Sequence, residues 1–144
     1  PMLAHVIERL TPQVGSVILN ANGDPARFAA FGLPVAADTV PDFAGPLAGI
    51  LAGLRWAAAH TPTVRWVASA AADTPFFPTE LVARPVSATE GLPERIVLAA
   101  SDDGLQPVFG LWPALIVATV SGVSAVRLTR DLWKVLFNVA NCIV

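Results

Sequence analysis

Apolar and polar positions along this chain switch between a helical and a strand-like period. Met2, Leu3, Val6, Ile7 and Leu10 recur at helical spacing until Thr11-Pro12 breaks the pattern, which predicts a first helix. Val17-Ile18-Leu19 is a short unbroken apolar run leaving into Asn20-Ala21-Asn22-Gly23, as a strand covered on both faces does when it exits into a loop. Asp24-Pro25 then offers an N-cap and a first-turn proline for a helix reaching Phe31, and Gly32 is placed to end it. Residues 33–37 read as the next strand, ending at Asp38. After a loop over 39–45, Pro46 opens a helix to about His60 with Leu47, Ile50, Leu51, Leu54 and Ala58 on one face. Residues 66–71 form a third apolar strand that ends at Ala72-Asp73-Thr74-Pro75, and a helix is expected from Pro78 to Arg84. A Pro/Gly/polar loop over 85–93 follows, too short for a domain linker. Residues 96–100 and 105–111, joined by Ser101-Asp102-Asp103-Gly104, read as an antiparallel hairpin with an Asp-Gly turn.

Strands alternating with helices predict an α/β fold: a three-layer, doubly wound, mostly parallel sheet with an antiparallel excursion in its second half. Gly49 and Gly53 sit one turn apart inside the helix that Pro46 opens, where each costs up to about 1 kcal/mol against alanine. Either close packing against a neighbouring strand or close approach of a ligand accounts for them. Residues 104–126 carry no charge and are long enough to raise a transmembrane reading. Pro107, Pro113, three glycines and three hydroxyl residues interrupt that stretch, so a buried strand followed by a short helix explains it better.

Composition narrows the picture. With 144 residues, 54% of them hydrophobic and 14% charged, one domain can bury a core without a disulfide, and the single cysteine, Cys142, allows none. Nine basic side chains, of which Lys134 is the only lysine, are scattered rather than clustered, which argues against a nucleic-acid partner. The opening residues show no basic segment followed by an apolar run, so a cytoplasmic location without membrane association is expected.

In an open parallel sheet, ligands lie beyond the carboxyl ends of the strands. Asn20 and Asn22 follow the first predicted strand, Asp38 the second and Asp73 the third, which gathers them along one edge. Each is also a common turn former that bonds its own backbone. Asp73 stands out, because a carboxylate at a strand end just before Thr74-Pro75 is held stiffly enough to ligate a hard divalent cation such as Mg²⁺. Magnesium takes only one or two protein carboxylates and completes its shell with water and phosphate oxygens, so one aspartate suffices.

The motifs, in order, are Val-Ile-Leu-Asn-Ala-Asn at 17–22, Asp38, Asp-Phe-Ala-Gly-Pro-Leu-Ala-Gly at 42–49, Ala-Asp-Thr-Pro at 72–75, Gln-Pro-Val-Phe-Gly-Leu-Trp at 106–112 and Phe-Asn-Val at 137–139. This set resembles the molybdenum cofactor guanylyltransferases from residue 1 to about 112, and more weakly beyond. The resemblance implies a Rossmann-like nucleotidyltransferase that moves GMP from GTP to molybdopterin or its molybdenum form, with Mg²⁺ as cofactor and molybdenum-cofactor-handling proteins as partners. It implies that Asn20 and Asp38 contact the guanosine part, that Gly45, Pro46, Leu47 and Gly49 line the nucleotide side, that Asp73 is the catalytic metal ligand, and that Pro107 and Asn138 face the pterin. Relatives using CTP or a sugar-phosphate acceptor, and a non-catalytic homologue that binds a pterin or a protein, are the alternatives. The family's Leu-Ala-Gly-Gly loop, which holds the triphosphate, does not occur in these residues. The expectation is therefore one domain, 1–144, without its N-terminal glycine-rich strand-loop segment and inactive as it stands.

Overall fold

The computed structural model describes residues 1–39, 46–89, 95–102 and 104–117. Helix α1, Met2–Leu10, forms where the apolar spacing places it, and the Thr11 hydroxyl closes its end by donating to the Ile7 carbonyl at 2.7 Å. Strand β1, Leu19–Asn20, pairs in parallel with β2, Val35–Ala36, with Leu19 opposite Val35 and Asn20 opposite Ala36. Both are short: β1 starts two residues later than its apolar run and takes in Asn20, and β2 covers two of the five residues expected. The segment between them, Pro25–Phe31, is capped as expected: the Asp24 side chain accepts from the Ala26 N–H at 2.9 Å, and Gly32 ends the turn with φ 62°. It winds as a 3-10 helix rather than an α-helix, because none of its residues is buried and no packed face holds the longer hydrogen-bond pattern.

Helix α2, Pro46–His60, buries Leu47, Ile50, Leu51 and Leu54 as its spacing predicts, with Ala57 rather than Ala58 continuing the stripe. Ala48, Ala52 and Gly53 are buried too, so this helix is covered nearly all round.

Strand β3, Trp66–Ser69, departs from the expectation of a parallel sheet. It pairs antiparallel with β5, Gly104–Pro113, which pairs on its other edge with β4, Val97–Ser101, in the order β3-β5-β4. Among the described residues the fold is therefore mixed α/β, one parallel pair beside a three-stranded antiparallel sheet. The hairpin is tighter than its sequence suggests: Ser101 pairs with Gly104 directly, and Gly104 adopts φ 112°, a conformation open to glycine. The uncharged stretch from 104 onward begins as this central strand. Among the described residues no helix is long and apolar enough to cross a membrane.

Pro107 lies inside β5, where a missing N–H would normally break a ladder. The register slips there, from Leu98 opposite Gly110 to Ala99 opposite Gln106, which leaves 107–109 out of direct pairing with β4. On the opposite edge of β5, Ser69 of β3 ties down the same stretch. Its hydroxyl donates to the Val108 carbonyl at 2.7 Å and accepts from the Trp112 indole N–H at 2.8 Å.

Helix α3, Ala83–Ala88, starts later than expected and extends into the stretch predicted as loop. The chain before it is held by the end of α1: the Arg9 guanidinium donates to the Phe77 carbonyl, and the Gln13 amide donates to the Pro78 carbonyl at 3.4 Å and accepts from the Val82 N–H at 3.1 Å. Pro85 is tolerated because it falls in the first helical turn.

Among the described residues two apolar clusters form the core. One joins α2 to the sheet through Leu47, Ile50, Leu51, Leu54, Ile96, Leu98 and Trp112; the other joins α1 to it through Val6, Phe77 and Phe109, with Ala70, Ala71 and Ala99 packed alongside. Trp112 is completely buried, so its indole N–H depends on Ser69. Ser69→Ala in the full-length protein is expected to lower stability by about 1–3 kcal/mol in urea unfolding, the range for an orphaned buried donor. A loss below about 0.5 kcal/mol, the scatter of ordinary surface changes, would show that the hydroxyl link is dispensable.

Candidate functional site

The parallel pair delivers three polar side chains, Asn20, Asn22 and Asp38, to one place. Its register sets Asn20 opposite Ala36, and continuing it by two residues sets Asn22 opposite Asp38. The Leu19 N–H donates to Pro34 at 2.9 Å and the Ala21 N–H to Ala36 at 3.1 Å, so the pairing runs to the strand ends. The Asn20 amide donates to Asp38 Oδ1 at 2.9 Å and to the Ala36 carbonyl at 3.1 Å. The Asn22 amide donates to Asp38 Oδ2 at 2.7 Å, and its oxygen accepts from the Asp38 N–H at 2.8 Å. Each oxygen of the half-buried Asp38 thus holds one asparagine N–H. One residue further on, the Thr39 hydroxyl accepts from Arg55 of α2 at 2.6 Å, which ties the end of this loop to the helix.

Helix α2 comes close enough to β1 to touch this cluster. A Cβ on Gly49 would sit 2.2 Å from Asn20 Oδ1, so only glycine leaves room for the amide, whereas Gly53 meets Ile18 at an ordinary 3.9 Å. Both helical glycines therefore face the strand β1 and the residue preceding it, and at Gly49 the packing partner is itself a candidate site residue.

An apolar-walled cleft of about 290 Å³ lies between α1, β1, α2 and β3, with Asn20, Pro46, Gly49, Ala71 and Ala72 among its lining. Asp73 follows directly and is exposed. Its recorded contact is the Thr74 hydroxyl, donating to Oδ1 at 3.2 Å. The chain on either side is anchored, by Ala70 and Ala71 in the second core cluster and by the buried Phe77. A solvent-facing carboxylate on a fixed strand exit suits a hard divalent cation as a single protein ligand. Among the described residues no group of three acidic, histidine or cysteine side chains could hold a metal alone. A second cleft, of about 450 Å³, opens between Thr74, Phe76, Arg84 and the β4–β5 face at Gln106 and Phe109.

The remaining candidates separate. Leu47 is 3% exposed within the α2 core cluster, so its side chain supports the cleft from behind instead of lining it. Pro107 is half-buried at the β5 irregularity and lines neither cleft. Gly45 and Asn138 lie outside the described residues. Arg55 and Thr39 were not legible as site-supporting residues, although a lone arginine on an otherwise apolar helix is the signal that marks Arg55.

Comparison with known proteins places the chain in a family. Residues 1–140 match the model of the MobA-like NTP transferase domain. The chain is similar to a molybdenum cofactor guanylyltransferase of Bradyrhizobium sp. (strain ORS 278), 58% identical over 137 residues, which is 95% of this chain and 59% of the relative. It is similar to that of Rhodopseudomonas palustris (strain BisB5), 56% identical over 78% of this chain and 53% of the relative, and to that of Cupriavidus necator (strain H16), 49% identical over 96% and 73%. The chain thus spans little more than half the length of the first two.

The contact between Gly49 and Asn20 makes a sign-reversing prediction. Gly49→Ala should destabilise the full-length protein by about 1–3 kcal/mol through overpacking, whereas in an Asn20→Ala background the same change should stabilise by up to about 1 kcal/mol, the helix propensity of alanine. Denaturant unfolding of the four proteins measures the cycle, and additive effects would refute the contact.

Proposed function

Since the chain belongs to the family of MobA-like NTP transferase domains, we propose that the protein transfers GMP from GTP to the terminal phosphate of molybdopterin or its molybdenum form and releases pyrophosphate. The observation that carries this is the Asp38 carboxylate, oriented by one amide on each oxygen at the ends of the parallel strands. A carboxylate oxygen has two lone-pair sites, so each retains an acceptor position after binding its asparagine. Two coplanar acceptors complement the N1–H and N2–H donors of guanine, while cytosine presents acceptors at the corresponding positions.

In this reading Asn20 and Asp38 hold the guanosine part, and Pro46 and Gly49 bound the nucleotide side of the cleft, with Leu47 packed beneath and Gly45 assigned to that side by motif order alone. Pro107 and Asn138 are assigned to the pterin side by motif order. An oxygen of the acceptor's terminal phosphate attacks the α-phosphorus of GTP; the bond from that phosphorus to the bridging oxygen breaks, and pyrophosphate leaves with the electron pair. The attacking oxygen is already ionised, so the chain needs no general base, only in-line placement. Asp73 would hold Mg²⁺, whose contribution when bound is to offset negative charge on the phosphates. The protein as a whole is read as a three-layer, doubly wound enzyme. What supports this is a core built on α1 and α2 against a shared sheet.

Full-length protein supplied with GTP, Mg²⁺ and molybdopterin should form the guanine dinucleotide and pyrophosphate, and should bind GTP more tightly than CTP in calorimetry. Equal or reversed preference would overturn the guanylyl assignment, and absence of turnover with preserved pterin binding would favour a non-catalytic homologue. Asp73→Asn should reduce turnover at least about 100-fold, since a catalytic metal supplies several kcal/mol, yet leave the unfolding midpoint unchanged because the residue is exposed. Retained activity would remove Asp73 from the metal site.

A further inference from the structure

We infer that Asn22 is a positioning residue for base selection: by gripping Asp38 at two points it fixes the plane of the carboxylate that reads guanine, an inference that rests on the function proposed above. The turn-forming use of asparagine would have its side-chain oxygen accept from its own chain two residues on. Asn22 instead spends its oxygen on the Asp38 N–H at 2.8 Å and its N–H on Asp38 Oδ2 at 2.7 Å, closing a ring with a residue 16 positions away. The strand register brings the two face to face, because Asn20 opposite Ala36 puts Asn22 opposite Asp38.

The terminal torsion of an aspartate is broad and roughly two-fold, so a carboxylate held through one oxygen still swings. Asn20 alone would leave Asp38 in that state, since it reaches only Oδ1 and divides its amide with the Ala36 carbonyl. Asn22 supplies the second oxygen's partner and restrains the backbone at the same residue. Which ligand senses this follows from donor count. Guanine offers two parallel N–H groups and requires both carboxylate oxygens in one plane. Hypoxanthine, which lacks the 2-amino group, offers one and tolerates a tilted carboxylate.

The test is equilibrium binding of GTP and ITP to the full-length protein with Mg²⁺, with unfolding midpoints measured in parallel. Asn22→Ala should weaken GTP binding about tenfold, the effect of one charge-assisted hydrogen bond, and ITP binding less than about threefold, so that the preference for GTP narrows. A purely structural role predicts a lower midpoint with GTP and ITP affected alike, and that result would overturn the inference. Asn22→Ser, which keeps a hydroxyl able to make one of the two bonds, should give an intermediate preference and serves if the alanine variant does not accumulate. Asp38→Asn separates the two layers of the argument. If it leaves the GTP/ITP ratio untouched, Asp38 does not read the base and the proposed guanine site fails. If it abolishes the ratio while Asn22→Ala preserves it, only the positioning role is wrong.

Discussion

Helix α2 has to be buried almost all round, and the remaining elements are arranged to meet that demand. Eight of its fifteen residues are buried, and they are distributed over more than one face. A helix this apolar has no wide polar side to turn to water, so both sheets must cover it. The antiparallel sheet does so with Leu98, Trp112 and Val67 against Leu47, Ile50, Leu51 and Leu54. The parallel pair does so along the glycine side, where Asn20 and Ile18 approach Gly49 and Gly53. Large side chains meet the first sheet and missing side chains admit the second.

That asymmetry shapes the site. Because Gly49 carries no side chain, the Asn20 amide can lie against the helix and still reach Asp38, and the strand end becomes a polar cluster instead of a frayed turn. Arg55, two turns further along α2, reaches back to Thr39 and ties the segment after Asp38 to the same helix. The chain on either side of Asp73 is anchored towards α1 instead, with Ala70 and Ala71 packed in the Val6 cluster and residues 77–82 bonded to Arg9 and Gln13. The cleft of about 290 Å³ is lined by Asn20, which holds the candidate base-reading carboxylate, and by Ala72, the residue before the candidate metal ligand.

Legibility in the sequence tracks how local each determinant is. Asp24-Pro25 and Gly32 bracket their turn as expected, since a cap, a fixed φ and a positive φ act within a few residues. The bounds of α1 and α2 follow from apolar spacing for the same reason. The start of α3 is misplaced because contacts from residues about 65 positions away hold the preceding chain out of the helix. At the site, Asn20, Asp38 and Asp73 could be singled out by chemistry and position, but Leu47 shares a motif with Gly49 while pointing into the core. Adjacent helical positions face different neighbours, and a motif read as letters does not separate them.

The sequence by itself determined the order and type of most elements, the polar residues available at the strand ends, and the family through an ordered set of motifs. Tertiary structure alone decided that β3 pairs antiparallel with β5, that Pro107 sits in a register slip against β4, and that Asn22 and Asn20 divide the two oxygens of Asp38 between them. The division has one physical cause. Capping, turn conformation and amphipathic period are set by neighbours along the chain, whereas strand pairing, burial and side-chain hydrogen bonds are set by groups that meet only after the chain has closed on itself.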